Sequence, residues 1–189
     1  MRLPDLTPDE LDAEQRRLYD DIVGGPRGSG PHHFSLTTAD GALTGPFGVM
    51  VHEPVLGRPL QELGSAIRFR TGLTDRVREI AVLAVAAATD SAFERHAHER
   101  VGRAVGLTDH DLAALAGGAF GSSDPAEQAA YDLCRRLLDG DVRLGEDDYA
   151  GLVESLGTTT VTELVVLVGY YRTLADLLAV FDVRVHPAQ

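Results

Sequence analysis

Two glutamates and a histidine have the residue types and the spacing that acid–base chemistry requires: Glu79, Glu94 and His98. Glu94 and His98 lie four residues apart in a predicted helix, so the carboxylate can orient the imidazole and set its tautomer. Glu79 precedes an apolar run, and a carboxyl group at the edge of a core is a candidate proton donor or base. The alternatives are a solvated pair for Glu94 and His98, and a first-turn acid that stabilises the helix dipole for Glu79.

Two arginines near the end of the preceding predicted helix are candidates for binding a substrate carboxylate. The guanidinium groups of Arg68 and Arg70 have the planar donor geometry that a carboxylate accepts in a bidentate way. Helices also commonly end in cations that stabilise the helix dipole, which is the simpler interpretation. His96 and His98 point about 200° apart on a helix, so we predict no metal site there.

Charge and cysteine content exclude several classes of function. The net charge of −12 over 189 residues, without a cluster of Lys and Arg, argues against nucleic acid or an acidic membrane as a partner. The single cysteine, Cys134, excludes an internal disulfide and a CxxC site, and we predict that it is a buried residue of a helix. The sequence starts with no apolar run of signal-peptide length, and the apolar stretches look shorter than a membrane span of ~20 residues. We therefore predict a cytoplasmic protein.

Capping residues and apolar spacing predict an all-α fold in one domain, residues 1–189. The predicted helices cover residues 7–23, 52–70, 74–88, 90–105, 108–116, 124–138, 146–156 and 160–181. The Gly- and Pro-rich segment 24–45, which includes a His32–His33 pair expected to be solvated, is predicted to be a surface loop. Residues 80–88 are apolar on every side, and residues 164–171 form an apolar run that continues with Leu174, Leu177, Leu178 and Phe181, which predicts two buried helices. Their β-branched residues could also favour strands, but segment length and caps favour helices.

Two short segments indicate an internal duplication. Residues 78–84 align with residues 162–168, and in both a glutamate enters an apolar helix after an amphipathic helix and a turn that contains threonine. The expected capping box of Thr160 and Glu163 begins the second copy. We predict a duplicated helix pair; the alternative is a chance similarity between two buried helices. In this scheme 1–44 is an N-terminal helix and loop, 45–115 is the core, and 124–183 is the second helical half.

Several motifs together resemble the carboxymuconolactone decarboxylase / alkyl hydroperoxidase D family. They are Gly45-Pro46-Phe47, His52-x-Pro54-x-Leu56-Gly57, Arg68-Phe69-Arg70, Arg78-Glu79-Ile80-Ala81-Val82-Leu83-Ala84-Val85, Phe93-Glu94-x-x-Ala97-His98-Glu99-Arg100 and Gly106-Leu107. The resemblance is densest over residues 45–115, and residues 167–183 are similar to the tail of longer members. It implies an all-helical fold and a homo-oligomer, a trimer or hexamer, with sites near subunit contacts.

The resemblance also separates two branches of the family. In the peroxidase branch a glutamate is followed by a CxxC pair and a histidine; here these positions hold Glu79, Ser91, Glu94 and His98. Because serine and glutamate do not cycle through a disulfide, we expect no thiol peroxidase activity. The decarboxylase-like branch is the closer match, and it implies loss of CO₂ from a small carboxylated lactone without a cofactor.

On this basis we predict that His98 transfers the proton, that Glu94 and Glu79 tune it, and that Arg70 or Arg68 holds a substrate carboxylate. Ser91 and His52 are predicted as further substrate contacts. A non-catalytic oligomer that binds a small molecule is the second hypothesis, since a fold alone does not assign a reaction. A peroxidase is the third, and the missing cysteine pair disfavours it.

Overall fold

The computed structural model describes residues 1–29 and 35–185, and this part of the chain is helical without a β-strand. An isolated antiparallel bridge joins Thr37 and Leu43. The all-α prediction is therefore confirmed, whereas the predicted His32–His33 pair lies outside the described residues.

A short 3₁₀ helix, Pro8–Glu10, precedes the α-helices. The α-helices are α1 (Ala13–Val23), α2 (Pro26–Ser29), α3 (Gly45–Met50), α4 (Pro54–Phe69), α5 (Asp75–Ala88), α6 (Ala92–Ala104), α7 (Asp109–Ala116), α8 (Pro125–Asp139) and α9 (Glu146–Val180). Helix α9 is interrupted at Gly157, where φ is 76° and ψ is 152°. This interruption lies in the predicted gap between residues 156 and 160. Glycine adopts the positive φ found there without steric cost.

The chain divides into two compact units. The first contains Met1–Arg70 and Asp176–Gln189, and the second contains Thr71–Ala175. Helix α9 crosses from the second unit to the first. The prediction of a single domain stays a prediction.

The N-terminal helix of the first unit is shorter than predicted. Thr7 and Glu10 form the expected capping box, but they cap only the 3₁₀ turn, which ends at Leu11 in an extended conformation. Asp12 then caps α1 by accepting hydrogen bonds from the backbone N–H groups of Glu14 and Gln15. Two capping boxes follow one another in this segment, and the α-helix begins at the second one.

The segment predicted to be a surface loop is partly buried. Ala42, Leu43 and Thr44 are at most 3% exposed. The hydroxyl of Thr44 donates to the carbonyl of Ser35 at 2.7 Å, and all six residues of α3 are buried. The predicted loop thus ends in buried residues and leads into a small buried helix that was not predicted.

Gly57 of α4 is required by close packing within the first unit. A Cβ atom at this position would lie 2.3 Å from the carbonyl oxygen of Met50 and 2.8 Å from Cδ2 of Leu18. We therefore expect Gly57→Ala to lower the free energy of unfolding by about 2 kcal/mol, because a packed core resists added volume. Gly151→Ala is the matched control: nothing lies within 4 Å of the added methyl group, and the gain in helix propensity predicts about 0.5–1 kcal/mol of stabilisation. Chemical denaturation measures both, and equal effects would contradict the packing argument.

Helix α5 is the centre of the second unit and packs against α6, α7 and α8. Thr74 caps it by accepting a hydrogen bond from the N–H of Val77, and ten consecutive residues, 77–86, are buried. This confirms the first predicted buried helix. Packing on three sides explains why its apolar residues show no one-sided pattern.

Helix α9 departs from the second predicted buried helix on one face. Leu164 and Leu167 are fully buried, but Val165 is 45% exposed and Val166 is 40% exposed. By length and composition α9 is also apolar enough to cross a membrane, and 17% of its apolar window is buried. Its apolar run is thus longer than predicted from the sequence. The side chain of Glu163 accepts a hydrogen bond from the N–H of Gly72 at 2.9 Å. The capping box predicted for Thr160 and Glu163 did not include this contact.

Candidate active site

A tight turn between α5 and α6 brings the candidate catalytic residues together. Asp90 lies in this turn with a φ of 48°, and the N–H of Ser91 donates to the carbonyl of Ala86 at 2.9 Å. Helix α6 then packs on α5. Glu79 and His98 therefore meet although they are 19 residues apart in sequence.

His98 lies between two carboxylates. Its Nδ1 is 2.6 Å from Oε2 of Glu79, and its Nε2 is 3.4 Å from Oε2 of Glu94. The exposed fractions of Glu79, Glu94 and His98 are 0%, 4% and 5%. A solvated pair is therefore the wrong interpretation of Glu94 and His98, and Glu79 is a core residue rather than an exposed first-turn acid. The three residues predicted to be catalytic form one buried cluster.

The cluster favours a protonated imidazole. Burial lowers the pKa of His98, but the negative charge of Glu79, its hydrogen bond and the contacts with Glu94 outweigh this and raise the pKa to about 9. At neutral pH His98 is then an imidazolium with a carboxylate near each ring nitrogen. Such a group can donate a proton to a substrate and take one back afterwards.

One carboxylate oxygen of the cluster has spare acceptor capacity. Oε1 of Glu94 is buried and has no hydrogen-bond partner among the described residues. A buried acceptor without a donor costs free energy, and such groups commonly mark functional sites. The second face of this carboxylate can therefore accept a hydrogen bond from a ligand.

Two residues without a predicted role belong to the same cluster. The ring of Tyr171 from α9 packs edge-on against His98 with 5.3 Å between centroids, and Tyr170 packs edge-on against Tyr171. Arg78 is 8% exposed, and its Nε lies 3.5 Å from Oε1 of Glu79. The sequence contains a signal for each: Tyr171 belongs to a tyrosine doublet in an apolar helix, and Arg78 lies at the start of a buried helix. Neither signal indicates which residue the side chain contacts.

The predicted substrate-binding residues are not all in one unit. Ser91 immediately precedes α6, is 9% exposed, and makes no side-chain capping hydrogen bond. Arg68, Arg70 and His52 belong to the first unit. There the Nε2 atom of His52 is 2.9 Å from the carbonyl oxygen of Pro4, Arg68 stacks near the ring of Phe69, and Arg70 is exposed. Substrate contact by these four residues stays a prediction.

The environment of the single cysteine makes its thiol unreactive. Cys134 is fully buried in α8, and burial raises the pKa of its thiol to about 12. Thiolate is the nucleophilic form of cysteine, so this thiol is unreactive at neutral pH. The prediction of a buried structural cysteine is confirmed.

Comparisons with known proteins agree with this fold. The family model described as "Carboxymuconolactone decarboxylase family" matches residues 54–135, which contain α4 to α7 and the cluster of Glu79, Glu94 and His98. A crystal structure of an alkylhydroperoxidase AhpD core, an uncharacterized peroxidase-related protein from Ralstonia eutropha JMP134, is similar with a TM-score of 0.76. The two sequences are 17% identical, and the similarity covers 99% of this chain and 93% of the other. No curated protein matches the sequence.

Proposed function

We propose that this chain, whose residues 54–135 match the model of the carboxymuconolactone decarboxylase family, is a cofactor-free acid–base enzyme. It acts as a lyase or isomerase on a small carboxylated lactone or a related organic acid. The observation that carries the proposal is the buried His98 with a carboxylate at each ring nitrogen. This arrangement supplies a positioned proton donor, the group that decarboxylation of such a substrate requires.

In the proposed reaction the bond between the lactone ring and its carboxylate breaks, and CO₂ leaves. The electron pair of that bond enters the ring and gives an enolate, which the positive charge of the imidazolium stabilises. His98 then gives its proton to the α carbon and becomes neutral. A proton from water restores the imidazolium, because Glu79 and Glu94 favour the charged ring. One proton is consumed for each CO₂ released.

The substrate carboxylate needs a cation, and Arg70 or Arg68 is proposed to supply it. Guanidinium binds a carboxylate with two parallel hydrogen bonds. Ser91 and His52 are proposed as further contacts to the lactone. The free acceptor at Oε1 of Glu94 supports a ligand on the Ser91 side of His98, because both residues lie in the first turn of α6 or directly before it.

The test is turnover of 4-carboxymuconolactone by the purified protein, measured as loss of substrate absorbance together with CO₂ release. We expect catalysis with equal amounts of CO₂ and lactone product and without an added cofactor. If neither this lactone nor other carboxylated butenolides and β-keto acids are turned over, the lyase proposal is wrong. A small-molecule-binding protein is then the better assignment.

Peroxidase activity is the third hypothesis, and we expect the wild-type protein to lack it. Ser91 and Glu94 occupy the positions of the two family thiols, and Cys134 is the only cysteine. Consumption of a hydroperoxide with a dithiol reductant measures this, with Cys134→Ala as the matched control. Thiol-dependent turnover that disappears in Cys134→Ala would contradict the assignment.

We also propose a cytoplasmic homo-oligomer, a trimer or hexamer, with no nucleic-acid or membrane partner. The exposed face of α9 supports packing against a second copy, because residues 158–169 present small and uncharged side chains at helical spacing. The exposed residues in this range are Thr158, Thr159, Thr162, Val165, Val166 and Gly169, and the exposed Arg172 lies beyond it. Such a face lets the backbone of another helix approach closely, and burial of its valines favours association.

The double substitution Val165→Glu/Val166→Glu is expected to convert the oligomer to monomers, because each buried interface would receive several unpaired charges. Size-exclusion chromatography with light scattering measures the mass. Val142→Glu is the control, since Val142 is 60% exposed in the connection between α8 and α9. An unchanged oligomer in the double variant would exclude this face as the subunit contact.

A further inference from the structure

Arg78 connects the buried cluster to the surface of the second unit. Its Nη2 donates to Oδ1 of Asp75 at 2.6 Å, and its Nε lies 3.5 Å from Oε1 of Glu79. The side chain of Asp75 is 69% exposed, whereas that of Arg78 is 10% exposed and that of Glu79 is buried completely. The guanidinium is thus held between an exposed carboxylate and the buried one that contacts His98.

The proton between Glu79 and His98 has two possible positions. On His98 it gives an ion pair of carboxylate and imidazolium, and on Glu79 it gives two neutral groups. Burial favours the neutral pair, because the low-dielectric interior penalises charge. A cation on the far side of Glu79 favours the ion pair, because it lies closer to the carboxylate than to the imidazolium.

We propose that Arg78 is a positioning residue that acts through Glu79 to keep the shared proton on His98. The groups that face His98 are Glu79 from α5, Glu94 from α6 and Tyr171 from α9. Arg78 is a cation on the side of Glu79 away from this ring, since its Nε contacts Oε1 of Glu79 whereas His98 contacts Oε2. Its catalytic consequence rests on the proposed function, but its effect on the proton does not.

The proposal explains why an arginine is buried beside a catalytic glutamate. Desolvation of a guanidinium is costly unless its charge is paired, and Asp75 pairs only one end of it. The other end is directed to Glu79 through an ion pair at 3.5 Å. Lysine would keep the charge but lose the fork that contacts both carboxylates at once.

The test is ¹⁵N NMR of the histidine rings in the full chain at pH 7.5. In the wild type we expect both ring nitrogens of His98 to be protonated. In Arg78→Met and Arg78→Gln we expect Nδ1 to give the signal of an unprotonated nitrogen, while Nε2 keeps its proton near Glu94. Arg78→Lys should retain most of the imidazolium signal. Arg143→Met, which replaces an exposed arginine before α9, should leave the His98 signals unchanged.

A structural role alone would lower thermal stability without moving the proton. The proposal is therefore overturned if both uncharged variants fold and keep both nitrogens of His98 protonated. If Arg78→Met does not fold, Arg78→Gln and Arg78→Lys still compare absence and presence of the charge. Circular dichroism reports folding in each case.

Turnover separates this proposal from the proposed function. With an accepted lactone, we expect kcat of Arg78→Gln to fall about tenfold or more, because the imidazolium becomes the minor form once the proton moves to Glu79, and a pKa one unit below the pH leaves only about a tenth of the ring protonated. KM should stay within about twofold, since the guanidinium of Arg78 is held by Asp75 and Glu79 and is not a proposed substrate contact. If the wild type turns over no lactone but the proton moves in Arg78→Gln, the proposed function fails and the positioning role stands. If the wild type is active and the proton stays on His98, the positioning role fails alone.

Discussion

His98→Gln is expected to lower kcat for a carboxylated lactone by about 10²–10⁴-fold, the range that a positioned acid–base group contributes. Glutamine can still donate a hydrogen bond to Glu79, so the cluster keeps a polar partner in place of the imidazole. It has no proton to transfer to carbon. The expected result is therefore an inactive protein with an unchanged circular dichroism spectrum.

The matched control is His110→Gln, which changes an exposed histidine of α7. It should retain wild-type kcat and KM. Stopped-flow absorbance and CO₂ release measure both variants on the same substrate. A His98→Gln protein that turns over the lactone at the wild-type rate would show that another group supplies the proton.

Glu79→Gln is expected to have the second-largest effect, through the protonation of His98. The carboxylate is the main reason that the pKa of His98 is raised to about 9, whereas burial lowers it. Without the negative charge, we expect the pKa to fall below the ordinary histidine value, so that the ring is neutral at pH 7. Activity should fall at neutral pH and recover partly as the pH decreases, because the ring then regains its proton. An enzyme that needs an unprotonated base would instead lose activity as the pH decreases.

The same substitution changes the stability profile with pH. In the wild type the folded-state pKa of His98 is higher than its unfolded value of about 6.5, so its protonation stabilises the fold. This contribution is fully present below about pH 6.5 and is lost as the pH rises through about 9. Glu79→Gln should reverse this dependence, because a folded-state pKa below the unfolded value makes protonation of His98 destabilising. It should also cost about 3 kcal/mol at pH 6, because a buried ion pair loses one partner.

Urea denaturation at a series of pH values measures the effect. Glu154→Gln, at an exposed position in α9, serves as the control and should follow the wild-type profile. Identical profiles for Glu79→Gln and the wild type would mean that Glu79 does not raise the pKa of His98.

The sequence was sufficient for the features that depend on local rules. Thr74 capping α5, the proline starts of α4 and α8 and the interruption of α9 near Gly157 follow from backbone chemistry within a few residues. The i,i+4 spacing of Glu94 and His98 follows from helix geometry in the same way. These elements were predicted because each signal and its partner are close in the chain.

The remaining features depend on contacts between distant segments. The contact of Glu79 with His98 requires α6 to fold back on α5, and only the family resemblance indicated it. Tyr171 reaches the same ring from α9, 73 residues beyond His98 in the printed sequence. The burial of α3 and the exposed face of α9 are likewise set by packing between segments. An apolar residue pattern does not show which side of a helix packs against the others.

Protonation of His98 is the property on which the account depends, and it is measurable without a substrate. A ¹⁵N NMR titration of the wild-type protein, labelled at its histidines, reports both ring nitrogens of His98 directly. The account predicts that both are protonated at pH 7 and that the ring loses a proton near pH 9. A His98 ring that is neutral at pH 7 and gains its proton only below pH 6.5 would contradict it.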